Sequence, residues 1–154
     1  AELVRAEMEE KGGRLELVLP SVPLPARVGA GHAKRVTLNL LRNATQALRE
    51  ESSPSRQEPL VLIRLRGDAQ GILIDVEDNG PGMPESVRRH IFEPFYTTKT
   101  VGQGTGLGLS VSYFIITEHH GGSIEVSSRR GRGTCFSIRL PLEPPHPKPA
   151  SESG

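Results

Sequence analysis

Cysteine, tryptophan and long apolar runs are scarce in this chain of 154 residues, and each scarcity excludes a class of protein. The single cysteine, Cys135, can form neither an internal disulfide nor a cysteine-based metal site, which suits a reducing compartment. Trp is absent and aromatic residues make up only 4% of the sequence, so few rings are available for stacking on nucleic acid bases. No run of residues approaches the roughly 18 apolar positions of a membrane-spanning helix, and the N-terminus lacks the apolar core of a signal peptide.

The chain also lacks an excess of charge of either sign. The 19 Lys and Arg nearly balance the 18 Asp and Glu, so the net charge of +1 creates no overall field that would attract nucleic acid or an anionic membrane. We therefore expect no nucleic acid partner, no direct membrane contact and a cytoplasmic location, although the parent protein could be anchored to a membrane elsewhere. Glycine, in contrast, is abundant, and many of its 17 residues cluster in short motifs.

The length is that of one domain, and the composition divides the chain into three parts. Residues 1–12 carry a helical pattern that stops at two glycines, and since the chain begins with Ala1 inside this pattern, we expect a piece of a longer polypeptide. Residues 13–142 should hold the folded domain. Residues 143–154 are rich in Pro and are expected to form a disordered tail.

Hydrophobic periodicity predicts helices and strands in a definite order. Apolar residues at helical spacing predict helices over residues 32–51, 84–91 and 107–120. Alternating apolar and polar residues predict strands over residues 14–19, 123–128 and 134–140, and two apolar-rich segments predict a hairpin of strands over 60–66 and 71–78, with a short additional strand near 26–28. Because the strands come in antiparallel pairs and the helices are grouped, this order predicts an α+β fold, a two-layer sandwich of a sheet and helices.

The long helix carries the first candidate site, a stripe of amides. Asn39, Asn43 and Gln46 follow one another at intervals of four and three residues, which places them on one face of the helix. Amide oxygens are neutral ligands for Mg²⁺, a cation that keeps several waters and otherwise takes phosphate oxygens, so the stripe suits a metal that bridges ATP phosphates. The alternative, that the asparagines face solvent, stays open on this helix alone.

Two glycine motifs form further candidate sites. Asp78 ends a predicted strand and is followed by Gly80 and Gly82, so a carboxylate able to accept a hydrogen bond from adenine lies beside backbone that can approach a flat ring. Residues 102–109 contain four glycines at alternate positions and lead into a helix, whose N-terminal amides attract phosphate. A plain turn and a flexible loop are the respective alternatives, although flexibility also suits a lid that orders on nucleotide binding.

Together, these segments resemble the conserved boxes of sensor histidine kinases in their order and spacing. Residues 39–47, 78–82, 91–96 and 104–110 are similar to the N, G1, F and G2 boxes, and residues 131–141 resemble the last strand of that family. The resemblance covers about residues 15–142. It implies the Bergerat ATP-binding fold, in which a mixed, mostly antiparallel sheet is covered on one face by about three helices.

Carried over position by position, the resemblance implies a site for ATP and Mg²⁺. Asn43 would ligate Mg²⁺ with help from Asn39, and Asp78 would bind the adenine amine. Lys99 would contact the γ-phosphate, with a solvated lysine as the alternative, and Thr134 would reach the adenine through water. The implied ATP-binding residues are Asn39, Asn43, Gln46, Asp78, Gly80, Gly82, Lys99, Gly104, Thr105, Gly106, Leu107, Gly108 and Thr134.

Position 39 separates a kinase from the related ATPases. Type II topoisomerases, Hsp90-like chaperones and mismatch-repair proteins carry a Glu there that activates water as a general base, whereas this chain has Asn39. Because an amide cannot accept a proton at neutral pH, we expect transfer of the phosphoryl group to an external acceptor rather than hydrolysis. The alternatives are an ATPase module of the same fold, a serine kinase acting on an anti-anti-sigma factor, and a regulatory module that binds no ATP.

The sequence contains no recognisable phosphoacceptor. A histidine kinase phosphorylates a His that precedes Glu or Asp on a dimeric helical hairpin, and none of the five histidines has this context, so we expect them to be surface or capping residues. The resemblance implies that residues 1–12 lead from such a dimerisation hairpin, absent here, on which the segment 92–96 would dock. Phe92 and Phe95 would anchor the lid. The implied partners are this hairpin and a response regulator receiver domain, with the present chain monomeric and the parent homodimeric.

Overall fold

The fold is described by a computed structural model in which residues 2–10, 12–24, 29–49, 57–98 and 106–142 can be placed. Within these ranges the helices are α1 (Glu2–Glu10), α2 (Ala30–Ala47), α3 (Glu85–Arg88) and α4 (Gly108–Phe114), and a π-helical turn, Ile115–His119, continues α4. The strands are β1 (Arg14–Val18), β2 (Leu60–Asp68), β3 (Gly71–Asp78), β4 (Ser123–Arg129) and β5 (Gly133–Pro141). Each helix and strand predicted within the described residues is present, with ends within a few residues of those expected.

One layer of the fold is a five-stranded sheet in the order β1-β2-β3-β5-β4. β1 runs parallel to β2, and the other three neighbouring pairs are antiparallel. The prediction of an α+β fold with a mixed, mostly antiparallel sheet is confirmed, and β1 supplies its parallel pair. The register of β3 and β5 places Asp78 opposite Thr134.

The core lies between one face of the sheet and the helices. Because side chains alternate along a strand, every second residue of β2, β3 and β5 points into this core, including the fully buried Val61 and Val76. α2 contributes the buried side chains Val36, Leu40, Leu41 and Ala44, which are the helical stripe seen in the sequence. Burying a Val or Leu in this way stabilises the fold by about 1.5–3 kcal/mol per side chain.

The opposite face of the sheet carries charged side chains, and no helix among the described residues covers it. Ion pairs join the neighbouring strands β2 and β3 between Arg64 and Glu77 at 2.9 Å and between Arg66 and Asp75 at 2.6 Å. A further pair, Arg139 and Asp68 at 3.1 Å, joins β5 to the end of β2 across β3. Partly exposed pairs of this kind contribute at most about 1 kcal/mol each. The sheet is therefore covered on one face, as the two-layer prediction requires.

Some predicted boundaries differ from the structure or lie outside it. α2 ends at Ala47 rather than at residue 51, and α3 is a single turn rather than a helix over 84–91. α3 itself has no fully buried residue. The predicted strand near 26–28 and the tail 143–154 lie outside the described residues. Within the described residues, no helix has the length and apolarity needed to cross a membrane.

Two histidines join the start of α2 to the end of the π-helical turn. His32 Nδ1 lies 3.2 Å from His120 Nε2, and the ring of His119 is centred 4.9 Å from that of His32. His120 is buried rather than on the surface, and it is the C-cap residue of the π-helical turn, which agrees with the capping part of the expectation for the histidines. Burial, and then the neighbouring His32 and His119, hold the pKa of His120 below its ordinary value of 6.5, which favours the neutral imidazole.

We expect this neutral imidazole to make the fold sensitive to acid. Since the folded pKa of His120 is lowered, the unfolded chain binds more protons below about pH 6.5, and the free energy of unfolding should fall as the pH drops through this window. His120→Gln should flatten that part of the profile relative to the wild type. Urea unfolding at a series of pH values measures both profiles; identical slopes for wild type and His120→Gln would contradict the prediction.

Candidate functional site

A pocket of about 120 Å³ opens where α2, the end of β3 and the start of β5 meet the segment after β3. Four residues singled out in the sequence line this pocket together, although they are far apart in the chain: Asn43, Asp78, Gly82 and Thr134. The remaining lining residues are Ala47, Pro81, Met83, Val87, Ile91, Thr98, Leu109 and Phe136. The pocket therefore combines a largely apolar wall with a few polar groups, which is typical of small-molecule sites.

Asp78 supplies the ionisable group of the pocket. Its side chain is only 5% exposed, and Oδ1 accepts a hydrogen bond from the amide of Gly80 at 2.9 Å. Burial raises the pKa of Asp78 to about 6, with a smaller contribution from the charge of Glu77, while hydrogen bonds from the amides of Gly80 and Thr134 act in the opposite direction. A pocket carboxylate whose ionised form is destabilised by burial is a candidate for recognising a hydrogen-bond donor.

The segment after Asp78 is held against the β4–β5 turn by close backbone contacts. Gly82 and Gly133 have φ values of +66° and +83°, and a Cβ at Gly82 would collide with the carbonyl of Arg129. The amide of Gly131 donates to the carbonyl of Pro81 at 2.7 Å. The Asp-Asn-Gly-Pro-Gly motif is therefore not simply a turn in the chain. Its glycines allow its backbone to contact the backbone of the β4–β5 turn beside the pocket.

The two asparagines of α2 have different surroundings. Asn39 is half-buried, and its Nδ2 donates to the carbonyl of Gly108 at 3.1 Å and to Ser112 Oγ at 3.2 Å. The alternative that Asn39 faces solvent is therefore wrong, because the side chain joins α2 to α4. Asn43 lies one turn further along and lines the pocket, while Gln46 is half-buried but is not one of the lining residues.

The glycine-rich segment is described only from Gly106 onward. Gly106 has φ +69°, and its carbonyl accepts the amide of Phe95 at 2.9 Å, so the two ends of the segment between them are joined. Leu107 and Gly108 form the start of α4 beside Asn39. The predicted site residues Lys99, Gly104 and Thr105 lie outside the described residues.

Phe92 and Phe95 differ in exposure. The Phe92 ring is half-buried and packs with its centroid 5.3 Å from that of Tyr113 and 6.2 Å from that of Phe136. Phe95 is 74% exposed and has φ +64°, which is strained for a bulky residue. The Phe92 ring is thus packed against neighbouring residues, whereas the Phe95 ring is available for contacts with another surface.

Comparison with known proteins places this geometry in a family. Residues 30–144 match the family model described as histidine kinase-, DNA gyrase B-, and HSP90-like ATPase. The chain belongs to this family. It is 41% identical over 125 residues to the sensor kinase CckA of Brucella abortus (strain 2308), and 38% identical over 141 residues to sporulation kinase E of Bacillus subtilis (strain 168). These alignments cover 76% and 92% of this chain but only 13% and 18% of the two relatives.

Solved structures identify the branch of this ATPase family. The catalytic domain of the histidine kinase ThkA, in a nucleotide-free form, is 31% identical, with a TM-score of 0.75 over 93% of this chain and 90% of that one. Full-length ShkA, in complex with AMPPNP, is 26% identical with a TM-score of 0.74, over 91% of this chain and 28% of that one. The chain is thus a catalytic, ATP-binding domain of the kind found in two-component sensor histidine kinases, as the motif resemblance implied.

Several residues of the ATPase-family pocket were missed in the sequence. Ala47 follows Asn43 by one helical turn, so its position on the same face was a usable signal. Met83, Val87, Ile91 and Leu109 look like ordinary core residues in the sequence, because apolar periodicity does not separate a pocket wall from a core. Thr98 gave no signal beyond lying between two boxes.

Proposed function

We propose that this domain binds ATP with Mg²⁺ in the pocket around Asp78 and supports transfer of the γ-phosphoryl group to a histidine on a separate helical domain. The observation that carries the proposal is the buried Asp78 carboxylate at the base of a largely apolar pocket. An ionised carboxylate accepts hydrogen bonds and donates none, so it fits the exocyclic amine of adenine. The neighbouring Val87, Ile91 and Leu109 provide apolar surface for the ring.

The phosphates would extend from this pocket towards the interface of α2 and α4. Asn43 lies on that route, and Gly108 brings the backbone of the α4 start close to Asn39. When bound, Mg²⁺ would neutralise charge on the phosphate oxygens, and the amide oxygen of Asn43, assisted by Asn39, is a neutral ligand of the type that leaves room for those oxygens and water. Gly80, Gly82, Gly104, Gly106, Leu107, Thr105, Gln46, Lys99 and Thr134 are the further residues that we assign to ATP.

The proposed transfer requires positioning rather than a catalytic base in this domain. The imidazole nitrogen of the acceptor attacks the γ-phosphorus, a P–N bond forms as the bond to the ADP oxygen breaks, and the loose transition state is stabilised by fixed donors and cations. Asn39, at the position where the related ATPases carry their Glu, holds two hydrogen bonds to α4 and cannot accept a proton from water. This favours kinase activity over the ATPase alternative.

The partners follow from the same proposal. The chain spans between 13% and 24% of the length of the first five curated relatives, so the acceptor histidine, the dimerisation hairpin and the response regulator contact are assigned to the longer protein. The exposed Phe95 and half-buried Tyr96 are candidate contacts with the hairpin. We also propose a monomeric domain in the cytoplasm, within a homodimeric parent.

Calorimetric titration with a non-hydrolysable ATP analogue, with and without Mg²⁺, tests the proposed function. We expect binding that Mg²⁺ strengthens, and we expect Asn43→Ala to remove most of the Mg²⁺ effect while Arg42→Ala, at an exposed neighbour on α2, keeps it. No binding by the folded wild type would contradict the kinase proposal and favour the regulatory module. Rapid phosphate release from ATP itself, measured in a separate assay on the same domain, would favour the ATPase alternative.

A further inference from the structure

Ser128 joins two residues of the pocket wall, Met83 and Thr134, to the adjacent Gly133 through one hydroxyl group. It lies near the end of β4, and its Oγ accepts the amide of Met83 at 2.9 Å, donates to the carbonyl of Gly133 at 2.9 Å, and lies 2.8 Å from Thr134 Oγ1. Side chains alternate along β4, so Ser128 points to the helix-covered face of the sheet while Ser127 is exposed on the other. Ser128 was not among the residues singled out in the sequence.

The number of protons available fixes the direction of these hydrogen bonds. A carbonyl oxygen can only accept, so the contact with Gly133 uses the single proton of the Ser128 hydroxyl. The amide of Met83 can only donate, which occupies one lone pair of Ser128 Oγ. The short contact with Thr134 is then satisfied only if Thr134 donates its own proton to the second lone pair.

Thr134 consequently presents lone pairs, and no proton, to the pocket that it lines beside Asp78. Both side chains are buried, at 6% and 5% exposure, so unmatched polar groups there are costly. Adenine offers amine protons at its Watson–Crick edge, and these match a site whose side chains, Asp78 and Thr134, only accept. A water can complete the contact by donating to both Thr134 and the ring nitrogen N1. Guanine has a carbonyl oxygen in place of the amine, and that oxygen would face acceptors only.

We propose that Ser128 is a positioning residue that holds the Thr134 hydroxyl as a hydrogen-bond acceptor and thereby makes the pocket prefer adenine to guanine nucleotides. The inference rests on the proposed ATP site. It predicts that Ser128→Ala frees the Thr134 proton to donate to the guanine carbonyl, so the preference for ATP over GTP falls. The expected fall is about threefold to tenfold, the value of one hydrogen bond.

The test is calorimetric titration of non-hydrolysable ATP and GTP analogues at a pH above 7, where Asp78 is ionised, with wild type, Ser128→Ala and Ser128→Thr. We expect Ser128→Ala to lower the ATP-to-GTP affinity ratio and Ser128→Thr, which keeps the hydroxyl, to restore it. Ser127→Ala is the matched control on the same strand and should bind as the wild type does. An unchanged ratio in Ser128→Ala would overturn the inference.

A double-mutant cycle separates this positioning from a general structural role. Thr134→Val removes the acceptor itself, so we expect it to lower the ratio alone, and Ser128→Ala added to it should change the ratio no further. A further fall of equal size in the double variant would overturn the inference. If Ser128→Ala does not fold, an ATP-to-GTP affinity ratio in Thr134→Val equal to that of the wild type would overturn it as well. A wild type that binds neither analogue would instead refute the proposed function.

Discussion

Replacing Asp78 with Asn is expected to weaken ATP binding about tenfold to a hundredfold and, at neutral pH, to make the nucleotide-free domain more stable. The loss of binding follows because an amide can turn a donor towards the adenine amine, and hydrogen bonds to charged groups contribute about 1.5–3 kcal/mol. The gain in stability follows because the wild type buries an ionised carboxylate whose pKa is raised to about 6 by desolvation. If removing the carboxylate stabilises the fold, Asp78 serves the function of the domain rather than its stability.

The sign of the stability change depends on pH. Asp78 ionises near 3.8 in the unfolded chain and near 6 in the folded one, so the folded state binds more protons between these values and its stability falls as the pH rises through them. Above about pH 6 the full cost, on the order of 3 kcal/mol, is present. Since Asn also loses a hydrogen bond from the Thr134 amide, worth about 1 kcal/mol, we expect a net gain of about 1–2 kcal/mol.

Urea unfolding of wild type and Asp78→Asn across this pH range, together with titration of the ATP analogue, measures both effects. Asp75→Asn is the matched control, since Asp75 is a buried carboxylate on the same strand that pairs with Arg66 on the far face of the sheet. It should lose stability and keep its affinity for the nucleotide. The prediction fails if Asp78→Asn unfolds at lower urea than the wild type at neutral pH, or if its advantage grows as the pH is lowered.

The fold was largely predictable because its segments follow simple periodicities. β5 alternates apolar and polar side chains over nearly its full length, β2 and β3 combine a short apolar run with alternation, and α2 repeats apolar residues on one face, so local pattern and tertiary burial agree. β1 was predicted as a strand, but its parallel pairing with β2 was not, because pairing depends on the path of the intervening chain. The π-helical turn after α4 likewise has no sequence signature of its own.

The site residues that lie together in one sequence motif could be predicted. Those whose role depends on a contact with a residue far away in the sequence could not. Asp78, Gly80 and Gly82 stand in five consecutive positions that the structure brings to one end of β3. The hydrogen bonds of Asn39 to α4 could not be read from α2, because helical spacing shows which face a residue is on and not what lies opposite. Ser128 was hidden for the same reason, as one more polar residue in an alternating strand.

Gly133→Ala is expected to destabilise the domain by about 3 kcal/mol or more and to disrupt the nucleotide pocket. Gly133 has φ +83°, where a Cβ costs about 1–2 kcal/mol, and the added Cβ would also collide with the carbonyl of Asp78 and approach the Cα of Asn79 within 3.0 Å. Backbone atoms cannot rotate out of the way as a flexible side chain would, so β5 must move away from β3 where Asp78 and Thr134 face each other. That movement would separate the two acceptors assigned to adenine.

Gly131→Ala tests whether the collision or the backbone strain causes this loss. Gly131 lies in the same turn and has φ +76°, but a Cβ there would meet nothing within 4 Å, so only the strain of about 1–2 kcal/mol should appear. Urea unfolding and titration of the ATP analogue on both variants give the comparison. Equal losses of stability would show that positive φ alone matters in this turn, whereas a larger loss in Gly133→Ala, accompanied by weaker nucleotide binding, would show that close contact between β3 and β5 shapes the pocket.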